Sequence, residues 1–131
     1  MNVAYVDTSP LIAVAFNEAA GESIARRLRR YERLISSNLL EAELRATFRR
    51  ENVRFDASLM SSIEWILPHR PLSAELSAVL STDYLRGADL WHLATALYTV
   101  GTADPGAAAE ISFITLDTRQ RQAAATLGFQ I

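Results

Sequence analysis

Short apolar segments alternate with helical segments along most of this chain, and the alternation restricts the folds it can adopt. Strands are predicted at residues 2–7, 34–36, 69–73, 111–116 and 129–131, with 69–73 as a possible edge strand beside two prolines. Helical segments between successive strands require crossover connections, which favour parallel pairing and cover both faces of a sheet. The sequence therefore predicts an α/β fold with a mainly parallel sheet.

Apolar periodicity and start signals mark the helices. Ser9 is predicted as an N-cap with Pro10 at the first helical position, and Asn38 as the N-cap of the helix in "NLLEAELRATFRRENV". A third helix is predicted in "DASLMSSIEWIL" at Asp56. Further helices are predicted in the amphipathic segment from Glu18, near 74–83, at 87–100 and near 118–127.

Length and composition indicate one domain spanning residues 1–131. A chain of 131 residues buries roughly two-thirds of its unfolded surface and needs no crosslink to fold. It has neither an apolar stretch of membrane-helix length nor a signal-like N-terminus, so we expect a cytoplasmic protein without a membrane partner. The segment "GTADPGAAAE" at 101–110 is predicted to be a mobile loop.

The basic and sulfur-containing residues exclude several kinds of chemistry. All 13 basic residues are arginine, and the chain has no cysteine. The absence of lysine excludes a P-loop, a Schiff base and the receiver-type or phosphotransferase sites that use lysine. The absence of cysteine excludes disulfides, thiolate metal sites and cysteine nucleophiles. No G-x-G-x-x-G or G-x-S-x-G motif supports dinucleotide binding or a serine hydrolase.

Two aspartates follow predicted strands. Asp7 ends "VAYVD" and Asp117 ends "ISFITLD", so both should reach the carboxyl edge of a parallel sheet, where ligands bind in open α/β folds. Thr115 lies on the same side of its strand as Asp117 and could add a hydroxyl. The alternative is structural: Asp7 as a turn residue and Asp117 as the N-cap of the next helix.

Helical phase separates two glutamates of "NLLEAELRATF". At about 100° per residue, Glu43 falls inside the apolar arc of Leu40 and Leu44, whereas Glu41 falls outside it, toward Arg45. If that arc packs on the sheet, Glu43 is forced inward. An unpaired buried carboxylate costs several kcal/mol in practice, so Glu43 needs either an arginine partner or a cation.

A fourth acid lies in the first turn of "GADLWHLATALYTV". Asp89 shares a stripe with Leu93 and Ala96 and is expected to face inward, although the helix dipole alone would also favour an anion there. His92 is close to the same stripe and is interpreted as a buried or supporting residue. Carboxylates about 4 Å apart repel by roughly 4 kcal/mol at a dielectric of 20, so such a cluster calls for a divalent cation. A set of oxygen ligands suits Mg²⁺ or Mn²⁺.

The segments "YVDTSPLI", "SNLLEAELRAT", "LRGADLWHLATAL" and "FITLDTRQRQAAATLGF" together resemble the PIN-domain ribonucleases, most closely the VapC-type toxins of bacterial toxin-antitoxin modules. The resemblance spans nearly the whole chain. It implies a three-layer α/β/α sandwich with a mainly parallel five-stranded sheet. It also implies that the catalytic, metal-holding acids are Asp7, Glu43, Asp89 and Asp117, supported by Thr8, Ser9 and Thr115.

The same resemblance implies metal-assisted endonucleolytic hydrolysis of RNA, a homodimer, and a cognate VapB-type antitoxin that blocks the acids. Arg45, Arg49 and Arg50 are candidates for contacts to RNA phosphates. Glu41 and Asp104 are not assigned to the site. The alternative function is a catalytically silent PIN-like scaffold that binds a protein partner through its acidic pocket.

Overall fold

A single parallel sheet forms the centre of the computed structural model, which describes residues 2–101 and 106–131. Its strands are β1 (Val3–Val6), β2 (Arg33–Ser37), β3 (Ile63–Ile66) and β4 (Ile111–Ile114). They lie in the order β3-β2-β1-β4, and every neighbouring pair is parallel. The carboxyl ends of all these strands therefore meet at one edge.

Helices cover both faces of the sheet. They are α1 (Thr8–Ala15), α2 (Gly21–Leu28), α3 (Leu39–Arg50), α4 (Ser73–Leu80), α5 (Gly87–Val100) and α6 (Thr118–Thr126). Ala4 and Val6 of β1 join a core cluster with α1, α2 and α3, whereas Tyr5 joins a second cluster with α4, α5 and α6. Because strand side chains alternate between faces, one short strand serves both cores. The predicted α/β fold is confirmed.

The predicted fifth strand, residues 129–131, is reduced to one residue. Ser112 and Gln130 form an isolated parallel bridge, in which Phe113 N donates to Gln130 O at 2.8 Å and Gln130 N donates to Ile111 O at 3.0 Å. Within residues 2–101 and 106–131 the sheet has four strands. Five strands are therefore not confirmed.

The segment from Asp56 to Ser73 corrects two sequence predictions. The helix predicted in "DASLMSSIEWIL" is instead a single 3₁₀ turn, Ala57–Met60, followed by β3. Asp56 caps that turn by accepting from Ser58 N at 3.0 Å, and the chain then pairs with β2 in parallel. The edge strand predicted at 69–73 is absent there, because the prolines at either side of His69 offer no amide donor and α4 begins at Ser73.

The start of α1 also differs from the prediction. Asp7, rather than Ser9, occupies the N-cap position, and α1 begins at Thr8. Asp7 makes no side-chain capping bond. Pro10 is tolerated because the first amides of a helix have no intrahelical acceptor. The Asp7 carboxylate and the Ser9 hydroxyl, neither of which caps α1, are therefore available for other contacts.

No helix in the described ranges is long and apolar enough to span a membrane. The loop predicted to be mobile lies partly outside these ranges: residues 102–105, including Asp104, are not described.

Gly21 fixes how closely α1 and α2 pack. A Cβ added at this position would lie 2.5 Å from Ala13 O and 3.2 Å from Ala13 C. These are backbone atoms of α1, so they cannot move aside as a flexible side chain would. The first position of α2 therefore requires glycine for close approach.

We expect Gly21→Ala to lower the free energy of unfolding by about 1–3 kcal/mol, because the new methyl group forces the two helices apart. Urea unfolding followed by circular dichroism measures the effect. Gly87→Ala is the matched control, since a Cβ at Gly87 meets nothing within 4 Å. Equal stability of the two variants would contradict the close packing of α1 on α2.

Candidate active site

Asp7 lies at the carboxyl end of β1 and is only 4 % exposed. Its backbone N–H donates to Ile114 O at 3.0 Å, which fixes the end of β1 against β4. Its Oδ2 accepts hydrogen bonds from Ser9 Oγ at 3.1 Å and Thr115 Oγ1 at 3.0 Å. Two hydroxyl groups therefore satisfy this buried carboxylate without neutralising its charge.

Asp117 follows β4 and lies beside the same threonine. Its N–H donates to Thr115 Oγ1 at 3.1 Å, and its Oδ1 accepts from Gln120 N at 2.8 Å, so Asp117 caps α6 as the structural alternative predicted. The cap uses one carboxylate oxygen, and the residue is exposed. Capping and a place at the site are thus compatible.

Glu43 projects from α3 toward the ends of β1 and α5. Thr8 Oγ1 donates to Glu43 Oε1 at 2.7 Å, and His92 Nε2 lies 2.6 Å from the same oxygen. Burial raises the pKa of Glu43, but the hydrogen bonds from His92 and Thr8 outweigh burial, and the net pKa is lowered. Glu41 instead pairs with Arg45 at 2.6 Å on the exposed side of α3. Of the two alternatives predicted for Glu43, an arginine partner or a cation, the arginine is not what contacts it: its partner is His92.

His92 is fully buried between Asp7 and Glu43. Its Nδ1 lies 2.8 Å from Tyr5 OH, which itself accepts from Ser37 N at 3.0 Å. Because a carboxylate only accepts, Nε2 is the donor in its contact with Glu43, and in the neutral ring Nδ1 then accepts from Tyr5 OH. Nε2 is also 3.6 Å from Asp7 Oδ1. Because Tyr5 and His92 are 87 positions apart, no local sequence pattern indicates this pair.

Asp89 lies in the first turn of α5 and is half-buried. Burial raises the pKa of Asp89, and the negative charges of Asp7, Asp117 and Glu43 raise it further, while His92 opposes them. Its backbone carbonyl accepts from Gln120 Nε2 at 3.1 Å. The structure thus brings all four predicted acids into one electrostatic environment.

The donor chemistry of this environment fits a hard cation, since the four acids offer only carboxylate oxygens. As the side chains stand, however, no group of three or more His, Cys, Asp or Glu in the described residues is close enough to hold a metal ion. Hydrogen bonds hold Glu43 and Asp117 at one oxygen each. Metal binding would require these side chains to converge further.

The arginines predicted to contact RNA phosphates lie on the exposed surface of α3. Arg45 pairs with Glu41, Arg50 pairs with Glu51 at 3.1 Å, and Arg49 is exposed on the same helix. A cleft of about 340 Å³ beside the acids is instead lined by Asp89, Asp117 and three exposed residues, Tyr84, Arg86 and Arg119. The sequence does contain a signal for these two residues. Each arginine lies within three residues of an acid predicted for the site, Arg86 before Asp89 and Arg119 after Asp117.

Fold and site together define a class of protein: a parallel α/β/α domain with converging carboxylates at the carboxyl ends of its strands. The family model of the PIN domain matches residues 4–126. The chain therefore belongs to the PIN domain family, whose members are typically nucleases that hydrolyse phosphodiester bonds. No match was found among curated proteins or among solved structures.

We expect Asp89→Asn to raise the melting temperature of the metal-free protein at neutral pH, because the substitution removes a charge that burial and three carboxylates disfavour. The charge of Asp89 destabilises the folded state because its pKa is raised above the ordinary value of 3.8. This loss of stability is absent below pH 3.8 and reaches its full size above the pKa of the folded state. The increase in melting temperature caused by Asp89→Asn should therefore become smaller as pH falls toward 3.8.

Thermal unfolding in EDTA across this pH range measures the difference. Asp56→Asn is the control, since Ser58 lowers the pKa of that exposed carboxylate and its neutralisation should bring no gain. A wild-type protein as stable as Asp89→Asn at neutral pH would contradict the charge coupling.

Proposed function

We propose that the chain is a Mg²⁺- or Mn²⁺-dependent endoribonuclease and the toxin of a VapC-type toxin-antitoxin module. The observation that carries this proposal is the position of four carboxylates at one edge of the sheet. His92 Nε2 lies 3.6 Å from Asp7 and 2.6 Å from Glu43, and the charges of Asp7, Asp117 and Glu43 raise the pKa of Asp89. Acids that repel one another at a ligand-binding edge are destabilising unless a cation joins them. Membership of the PIN domain family supports phosphodiester hydrolysis as the chemistry.

The residues that would hold the cation are Asp7, Glu43, Asp89 and Asp117. When bound, Mg²⁺ or Mn²⁺ would polarise the scissile phosphate and lower the pKa of a bound water. The choice of these ions over Zn²⁺ rests on the oxygen donors and on the absence of cysteine from the sequence.

Neighbouring side chains orient the acids. Ser9 and Thr115 contact Oδ2 of Asp7, and its Oδ1 lies 3.6 Å from His92 Nε2. Thr8 and His92 both bind Oε1 of Glu43 and orient its carboxylate. No covalent nucleophile is needed, because water is the attacking group.

Metal binding separates this proposal from a catalytically silent scaffold. A ligand that binds only the folded state stabilises it by about 2.7 kcal/mol at 100 times its Kd. We expect the melting temperature to rise with added Mn²⁺ and to return to its starting value with EDTA. A melting temperature that does not respond to Mn²⁺ in partner-free protein would instead favour the scaffold.

We expect Glu43→Gln to reduce Mn²⁺-dependent RNA cleavage by at least about 100-fold, since loss of a residue that merely orients a ligand already costs 10- to 100-fold. Glu41→Gln is the matched control, two positions away on α3, and should cleave as wild type does. The measurement is the rate of RNA cleavage by proteins purified free of any partner. Equal losses in both variants, or in neither, would overturn the assignment of Glu43.

The remaining parts of the proposal concern partners. By its likeness to VapC-type toxins, the chain is proposed to act in the cytoplasm as a homodimer on RNA, and to be inhibited by a cognate VapB-type antitoxin. Induced expression in bacteria should arrest growth with the wild type and not with Glu43→Gln at equal protein level. Arrest by both proteins would argue against a nuclease toxin.

A further inference from the structure

A large aromatic side chain lies exposed at the cleft beside the acids. Tyr84 is 66 % exposed and lines this cleft together with Asp89 and Asp117. The ring pairs and cation-π contacts of the described residues do not include Tyr84. An aromatic face of this size beside a polar site is suited to a planar ligand, which gains contact area by stacking on it.

The backbone that carries Tyr84 is held in place. The next residue, Leu85, is 4 % exposed and belongs to the core cluster of α4, α5 and α6. On the other side, Asp83 Oδ1 accepts from Tyr84 N at 2.7 Å. The ring is therefore presented on an anchored segment, and binding to it orders little additional chain.

Two exposed arginines line the same cleft. Arg86 lies between Leu85 and α5, and Arg119 lies in the first turn of α6, two residues after Asp117. Arg119 Nε is 3.4 Å from Asp83 Oδ2, and both side chains of this ion pair are substantially exposed. Exposed pairs contribute little, so a phosphate oxygen can replace Asp83 at Arg119.

The size of the cleft limits the ligand. Its volume of about 340 Å³ is near the lower end of the 300–1,000 Å³ that small-molecule sites have. That space accommodates one unpaired nucleotide rather than a double helix. An aromatic ring beside arginines is the combination that binds single-stranded nucleic acid, with a base on the ring and phosphates on the cations.

We propose that this cleft is a nucleotide subsite for single-stranded RNA, in which an unpaired base stacks on Tyr84 and the adjoining phosphates contact Arg86 and Arg119. The inference rests on the proposed nuclease function and identifies Tyr84, Arg86 and Arg119 as the residues of this chain that hold the substrate beside the acids. Arg86 and Arg119 become the expected phosphate contacts in place of Arg45 and Arg50 of α3, because they line the cleft beside Asp89 and Asp117 and the arginines of α3 do not.

The first experiment measures stacking. The ligand is a pool of RNAs of about 12 nucleotides, a length within the range of single-strand site sizes, with 2-aminopurine at the centre of each RNA. Binding is measured with variants that also carry Glu43→Gln, so that the RNA is not cleaved. We expect Tyr84→Ala to raise Kd about 5- to 100-fold, which corresponds to about 1–3 kcal/mol, and to abolish the quenching of 2-aminopurine. Tyr84→Trp should retain both properties, and Tyr84→Leu should lose the quenching.

The second experiment measures phosphate contacts. Arg86→Gln should reduce the slope of log K against log salt by about 0.7, the value for one phosphate contact on a single strand. Asp83→Asn should bind the same RNA pool more tightly, because it frees Arg119 while its amide oxygen still accepts from Tyr84 N. Val53→Ala and Arg54→Gln, both exposed and beyond the far end of α3, are the matched controls.

The outcomes distinguish this subsite from the proposed function. If the wild type neither cleaves nor binds RNA, the nuclease function fails and the subsite fails with it. If the wild type cleaves RNA but Tyr84→Ala binds and quenches as Val53→Ala does, the subsite alone is overturned. Circular dichroism of each variant confirms folding, and Tyr84→Trp tests the ring should Tyr84→Ala not fold.

Discussion

The structure depends on how the carboxylate of Asp7 is stabilised. This group is almost completely buried, yet its Oδ2 is satisfied by the hydroxyls of Ser9 and Thr115 rather than by an arginine. Hydroxyl donors offset part of the desolvation penalty and bring no positive charge. The Asp7 carboxylate acts on Asp89 across this edge of the sheet and raises its pKa. A site that repels itself in this way is suited to binding a cation.

Local chain geometry explains which parts of the fold could be predicted. Strand ends, helical phase and start signals placed β1, β4, α3 and α5 correctly because each depends on residues close in sequence. The helix predicted across the region of β3 is wrong for the opposite reason. Its "SSIEWIL" is compatible with a helix locally, and its pairing with β2 determines the strand. Apolar runs of this length do not distinguish strand from helix by periodicity alone.

The same distinction holds for the site. The positions of the four acids follow from local geometry, and the structure places them as those patterns predict, while their roles in metal binding remain predictions. The contact of Tyr5 with His92 was not predictable, because it requires the packing of α5 on β1. The clustered arginines of α3 are the more prominent signal in the sequence, although the exposed Arg86 and Arg119 are the ones that line the cleft beside Asp89 and Asp117. Sequence shows where charges cluster, but only packing shows which of them have partners.

The surrounding hydrogen bonds connect the acids into one network. Thr115 Oγ1 shares its one proton between two acceptors, Asp7 Oδ2 at 3.0 Å and Gln120 Oε1 at 2.7 Å, while Ser9 Oγ is the second donor to Asp7 Oδ2. Gln120 is fully buried, and its amide donates to Asp89 O. One threonine and one glutamine therefore join β1, β4, α5 and α6 at the point where the acids meet. Because Thr115 and Gln120 are neutral, they can hold the carboxylates in place while leaving their charge to be balanced by a ligand.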